Sequence, residues 1–245
     1  MNILVAKDIS MIFGGLRAID QLSFNVQTGQ FFGIIGANGA GKTTLLDVLT
    51  GYRKPTTGSI EFNGKVMTGE PPYRLAHRGM ARTFQIVQPF LEMTVLENVV
   101  TGALFSRSGR QRSLEEALAF CEPVLAIVGL ADKADLMAGG LTLGGKKKLE
   151  LARALATEPS LLLLDEVMGG LIRSEIDDIS SVLRRINASG TTIVMVEHLV
   201  YVITRLCDHV LVLDFGRELF QGRPEDVVAH PEVIHAYLGK PLMAE

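Results

Sequence analysis

Alternating apolar and polar residues in Leu22-Ser23-Phe24-Asn25-Val26 predict a half-buried strand, ended by the turn at Thr28-Gly29. Phe31 to Ile35 is an unbroken apolar run, the pattern of a central strand in a parallel sheet. A glycine-rich loop follows at Gly36 to Gly41, and Leu45, Leu46, Val48 and Leu49 then recur as on a helix. Lys54-Pro55-Thr56-Thr57-Gly58 predicts a turn, and Ser59 to Gly64 a short strand with a second turn at its end. From about Gln88 to Ala154 the spacing becomes helical, as in Leu114, Leu118, Cys121, Leu125 and Val128, which predicts a helical lobe inserted over roughly residues 88–154. Strand and helix alternate again in Leu161 to Leu164, Ile176 to Ile186, Thr191 to Val196 and His209 to Leu213. Short helices around Pro231 are expected from Pro224 to Leu238. Such alternation implies an α/β fold whose mostly parallel sheet is covered on both faces.

Composition narrows the function classes. With 245 residues, 47% apolar and 21% charged, the chain can bury a sizeable core, which excludes disorder and a disulfide scaffold. The 24 Lys and Arg against 27 Asp and Glu argue against a nucleic-acid binder held by charge, but leave room for one small anionic ligand. Cys121 and Cys207 are far apart and form no metal-spaced pair, so they read as idle thiols in a reducing compartment. The N-terminal apolar run is too short for a signal peptide, and no run approaches the roughly 18 residues that span a bilayer. The expectation is a cytosolic chain that meets a membrane only through a partner.

Gly36-Ala37-Asn38-Gly39-Ala40-Gly41-Lys42-Thr43 fits G-x-x-x-x-G-K-[ST], preceded by a buried strand and followed by a helix. The glycines let backbone N–H groups converge on phosphate oxygens, and the helix adds its positive end. Lys42 supplies a mobile ammonium to the terminal phosphates, the hydroxyl of Thr43 is a Mg²⁺ ligand, and Thr44 closes the loop. The pattern predicts a P-loop (RecA-like) core that binds a nucleoside triphosphate. Downstream, Leu161-Leu162-Leu163-Leu164-Asp165-Glu166 puts two carboxylates at the C-terminal end of a buried strand, the edge where parallel sheets bind ligands. Asp165 is then a second Mg²⁺ anchor. Glu166 points to the other side, free to orient or deprotonate an attacking water.

Three further segments complete a pattern that resembles the ATP-binding cassette family over nearly the whole chain: Gln85 after Met80 to Phe84, Leu141-Thr142-Leu143-Gly144-Gly145 before a helix, and Glu197-His198 after a strand. The resemblance implies ATP and Mg²⁺ as cofactors, Gln85 in a loop touching Mg²⁺ and water, and His198 on the γ-phosphate. It also implies that Thr142, Gly144 and Gly145 form a signature loop closing over the nucleotide of a second cassette, and that Phe13 is an aromatic platform for adenine. Arg82-Thr83-Phe84-Gln85, Glu92 to Asn98 and the closing Tyr237-Leu238-Gly239-Lys240 look like the ATP-binding subunits of branched-chain amino-acid importers, whose relatives take other small organic solutes. A lipid or lipopolysaccharide exporter cassette, a soluble cassette protein and a small-molecule kinase are the alternatives left open. An importer subunit implies a membrane permease, a second cassette, indirectly a solute-binding protein, and a peripheral place on the cytoplasmic side of the inner membrane.

The chain departs from the family pattern mainly on the side offered to a partner. Thr142 replaces a serine, Leu143 a glycine, Gly145 a glutamine and Val167 a proline, and Ile172 ends the Gly170-Leu171-Ile172 loop where an acidic or amide residue is usual. That asymmetry favours pairing with a cassette of different sequence. Lys146-Lys147-Lys148 put three cations at a helix start, where the dipole disfavours them. They are expected either to be a solvated face or to meet a partner.

Overall fold

The computed structural model describes residues 1–104 and 112–238. Part of the expected lobe (105–111) and the Gly239-Lys240 end of the closing motif lie outside the described residues. In chain order the elements are β1 (Asn2–Phe13), β2 (Leu16–Gln27), β3 (Phe31–Gly36), α1 (Lys42–Leu49), β4 (Thr57–Phe62), β5 (Lys65–Val66), α2 (Pro72–His77) and β6 (Met80–Arg82). They continue with α3 (Val95–Leu104), α4 (Leu114–Val128), α5 (Leu143–Leu155), β7 (Leu161–Asp165), α6 (Arg173–Ala188), β8 (Thr192–Val196), α7 (Val200–Leu206), β9 (His209–Asp214), β10 (Arg217–Gly222), α8 (Pro224–Ala229) and α9 (Pro231–Val233). The chain divides into two compact units, Met1–Pro72 with Thr192–Glu245, and Tyr73–Thr191.

The first unit holds an antiparallel sheet in the order β2-β1-β4-β5. It also holds β3, paired in parallel with β8 on one side and β9 on the other, while β10 runs antiparallel along β9. All six β3 residues are buried, as its unbroken apolar run requires of a strand with neighbours on both edges. Phe24 of β2 stacks on Phe32 of β3 with ring centroids 5.6 Å apart, so the two sheets of this unit share one core.

The second unit holds β7, parallel to β6, and the helices α3, α4, α5 and α6. Leu161 to Leu164 are fully buried, and each contributes about 1.5–3 kcal/mol by leaving water. On α4 the buried face is Ala117, Cys121, Val124, Leu125 and Val128. Leu114 and Leu118, expected on that face, are exposed, because Ala117 takes the inward place in the opening turns. The cap is strong: Ser113 Oγ accepts from the Glu116 N–H and the Glu116 carboxylate accepts from the Ser113 N–H.

Candidate functional site

In the first unit, β3 delivers the chain to the glycine loop and α1 begins at Lys42. Gly41 is the N-cap with φ 102°, a conformation open to glycine, and a Cβ there would collide with the Ala18 carbonyl oxygen of β2. The turn between β9 and β10 backs the loop, since Gly216 N–H donates to the Ala40 carbonyl at 3.0 Å. That turn is itself fixed by Asp20, which accepts from Arg17 at 2.7 Å and from both Arg217 nitrogens at 2.6 and 2.9 Å. The bonds from Arg217 and Arg17 hold the Asp20 carboxyl below the usual range. Gly41 makes no side-chain cap to α1, and the positive dipole end of the helix faces the loop. Lys42 is buried and donates to the carbonyls of Gly36 at 2.8 Å and Ala37 at 3.0 Å, a closed loop with its cation tucked across it. Asn38, Gly39 and Thr43 are exposed, and Thr44 is half-buried.

Two other predicted residues belong to this unit. His198 follows β8 and is half-exposed, its N–H donating to the Glu197 carboxylate at 3.3 Å and its Nδ1 3.8 Å from the same oxygen. Glu197 is fully buried. Phe13 is partly exposed at the end of β1, and the Arg53 guanidinium lies 5.1 Å from its ring centroid, so one cation already uses the aromatic surface.

The second unit carries the acidic residues. Asp165 ends β7, is buried, and accepts from Arg82 of β6 at 2.8 Å, with both side chains nearly sealed from water. Glu166 follows with φ 47°, a left-handed conformation unusual for a side-chain-bearing residue. Its carboxylate is not idle: Gln85 Nε2 donates to Glu166 Oε2 at 3.0 Å. The structure therefore brings Gln85 and Glu166 together, a pairing the sequence does not announce.

Thr142 is the N-cap of α5, and its Oγ1 accepts from the Gly145 N–H at 3.2 Å. Gly144 is packed so closely on Glu175 that a Cβ would lie 2.9 Å from Oε1, and the same carboxylate accepts from the Ile172 N–H at 3.2 Å. The Glu175 side chain of α6 thus packs against Gly144 and bonds the Gly170-Leu171-Ile172 loop. Leu143 and Ile172 are both exposed.

The expectation of three solvated or partner-facing lysines needs correction. Lys147 is buried and donates to the Gln85 carbonyl at 3.4 Å, and Lys148 pairs with Asp178. Consecutive helix residues point in different directions, and here Lys147 turns inward while Lys148 turns to α6. The pairing of Arg82 with Asp165 and of Glu150 with the Phe84 N–H was not foreseen from the sequence, where Arg82 entered only as part of the Arg82-Thr83-Phe84-Gln85 segment.

A glycine loop closed by its own lysine between a buried parallel strand and a helix defines a P-loop nucleoside triphosphatase. Residues 19–169, more than half of the chain, match the model of the ABC transporter family. Over 97% of its length the chain is 36% identical to the high-affinity branched-chain amino acid transport ATP-binding protein BraF of Pseudomonas aeruginosa, covering 98% of that protein. It is 35% identical over the same shares to LivG of Escherichia coli K12, which carries the same description. The ADP conformation of MJ1267, an ATP-binding cassette of an ABC transporter, superposes with a TM-score of 0.86 at 32% identity, over 98% of this chain and all of that one. The chain belongs to the ABC transporter family and is an ATPase of that family.

Proposed function

We propose that this chain is the ATP-hydrolysing subunit of an importer for branched-chain amino acids or a related small organic solute, forming a single cassette with the helical lobe at 88–154. The observation that carries the reading is near-full-length likeness, 35–36% identity, to proteins described as branched-chain amino acid transport ATP-binding proteins. Among the described residues no helix is long and apolar enough to cross a membrane. The chain then acts peripherally, on the cytoplasmic side, through permease subunits and a second cassette of different sequence.

ATP is taken by Gly36, Ala37, Asn38, Gly39, Ala40, Gly41, Lys42, Thr43 and Thr44, with Phe13 as the adenine platform and His198 toward the γ-phosphate. Thr142, Gly144 and Gly145 serve the partner's nucleotide. The donor set suits Mg²⁺: the Thr43 hydroxyl, the Gln85 amide oxygen and the Asp165 carboxylate are all hard oxygens. Among the described residues no cluster of three His, Cys, Asp or Glu forms a cage. Mg²⁺ is ordinarily held by few protein oxygens plus phosphates and water. Held by such oxygens, Mg²⁺ would supply positive charge that offsets the charge of a phosphoryl group.

The chain's own residues do the rest. Lys42 and the loop N–H groups bind the phosphates and stabilise the charge that develops on them. Glu166 accepts a proton from the attacking water, and Gln85, which donates to Glu166 at 3.0 Å, orients that carboxylate. Glu166→Gln keeps size and polarity but removes the base. The variant should bind ATP with wild-type affinity and release phosphate about 10²-fold or more slowly. Normal phosphate release by it would move the water-activating role to another group.

A further inference from the structure

Phe84 to Gln88 have no regular structure, so their backbone groups need partners from elsewhere. Three side chains of α5 supply partners. Glu150 accepts from the Phe84 N–H at 2.8 Å, Lys147 donates to the Gln85 carbonyl at 3.4 Å, and Arg153 donates to the Gln88 carbonyl at 3.0 Å. The three are spaced by three residues, so each comes from a successive turn along one side of the helix. Arg153 also lies over the Phe90 ring, 4.8 Å from its centroid, just beyond the loop. Burial raises the Glu150 carboxyl above its ordinary range, against the opposing pull of the Phe84 N–H, Lys147 and Arg153. A carboxylate is kept half-buried there at some cost, and it accepts a hydrogen bond from the loop.

The anchors bracket Gln85. One accepts from the N–H of the residue before it and another donates to its own carbonyl, so the backbone that carries its side chain is held on both sides. That side chain in turn donates to Glu166 at 3.0 Å. We propose that Glu150, assisted by Lys147, is a positioning residue for ATP hydrolysis, holding the Gln85 backbone so that its amide sets the Glu166 carboxylate. The α5 helix begins at Thr142, so the helix that offers the signature loop also fixes the loop that addresses Glu166. The inference rests on the reading of Gln85 and Glu166 under Proposed function.

The test is a mutant cycle on the full chain in its transporter complex, reading kcat and KM for ATP separately. Glu150→Ala should lower kcat about tenfold with KM within about twofold of wild type, since an interaction used in the transition state is lost rather than uniform binding. Glu150→Gln keeps an oxygen that can accept from the Phe84 N–H and should recover most of kcat. In a Gln85→Ala background, Glu150→Ala should cost less than about twofold more, because the residue it positions is already gone. An equal loss in both backgrounds, a loss in KM alone, or a Glu150→Gln variant as slow as Glu150→Ala would mark a merely structural role and overturn the proposal. A slow Gln85→Ala beside a fast Glu150→Ala overturns the proposal alone, whereas a wild-type rate for Gln85→Ala overturns the reading of Gln85 with it. If Glu150→Ala does not fold, Lys147→Met, which removes the donor to the Gln85 carbonyl, is read in the same cycle by the same criteria.

Discussion

Replacing Arg82 by methionine is the sharpest probe of how the acidic strand end is held. Arg82 donates to Asp165 at 2.8 Å, with side-chain exposures of 6% and 5%. Arg82→Met keeps most of the aliphatic stem but leaves the Asp165 carboxylate buried beside an apolar side chain. Breaking a buried pair by deleting one partner costs about 3–5 kcal/mol, because the remaining charge is uncompensated. The loss of the Arg82 cation over the Phe84 ring, 5.2 Å from its centroid, adds only about 0.5–1 kcal/mol. For a chain of 245 residues, each kcal/mol lowers the melting temperature by about 2 °C, so the two losses together predict a drop of about 7–12 °C. Thermal unfolding followed by circular dichroism, without nucleotide, reads this directly. Adding Asp165→Asn to Arg82→Met removes the stranded charge and should recover about half of the loss or more. A drop below about 2 °C for Arg82→Met, or a further drop on adding Asp165→Asn, would refute the argument that the pair is desolvated and mutually required.

Lys42→Ala removes the cation of the phosphate loop and should abolish most ATP affinity, measured with a fluorescent ATP analogue; unchanged affinity would contradict the loop's role. Phe90 and Leu91 are exposed beside the Gln85 loop. Aspartate at either is expected to abolish transport in vesicles while the isolated chain keeps its fold and ATP hydrolysis, as an apolar docking surface requires. Global unfolding of both variants would mean that they pack the lobe instead. Burial pushes the Cys121 thiol up to about 11. Burial, with Asp208 and Glu197 nearby, pushes Cys207 up further. Both thiols are therefore protonated at pH 8 and should resist iodoacetamide in the native chain, yet react fully in guanidinium.

The parallel strands and the phosphate loop were legible because each rests on a local rule: a continuous apolar run for a doubly flanked strand, glycines where a side chain would collide, carboxylates at a strand end. Where the local rule breaks, the sequence misleads. β1 shows no clean alternation because its pairing with β2 shifts register between Ala6 and Ile9, around Asp8 in a left-handed conformation. The edge strand β10, reading Arg217-Glu218-Leu219-Phe220-Gln221-Gly222, is not alternately apolar because none of its residues is fully buried. In the candidate site, Lys42, Asp165, Glu166 and the signature loop follow from residue type and order. The Arg82–Asp165 pair, the Gln85–Glu166 bond and the α5 anchors span 83, 81 and 62–66 positions of sequence and appear only once the chain is folded. Lys147 shows the same limit in one residue, since a lysine triplet gives no sign of which member turns inward.

The central claim, that ATP hydrolysis by this chain drives uptake of a branched-chain amino acid or a close analogue, is tested most directly by labelled leucine uptake in cells deleted for its gene and re-expressing either the wild-type chain or Glu166→Gln. The account predicts that deletion lowers uptake, that the wild-type chain restores it, and that Glu166→Gln, present at equal level and still binding ATP, does not. Uptake of leucine, isoleucine and valine unaffected by deletion, or restored in full by Glu166→Gln, would contradict it.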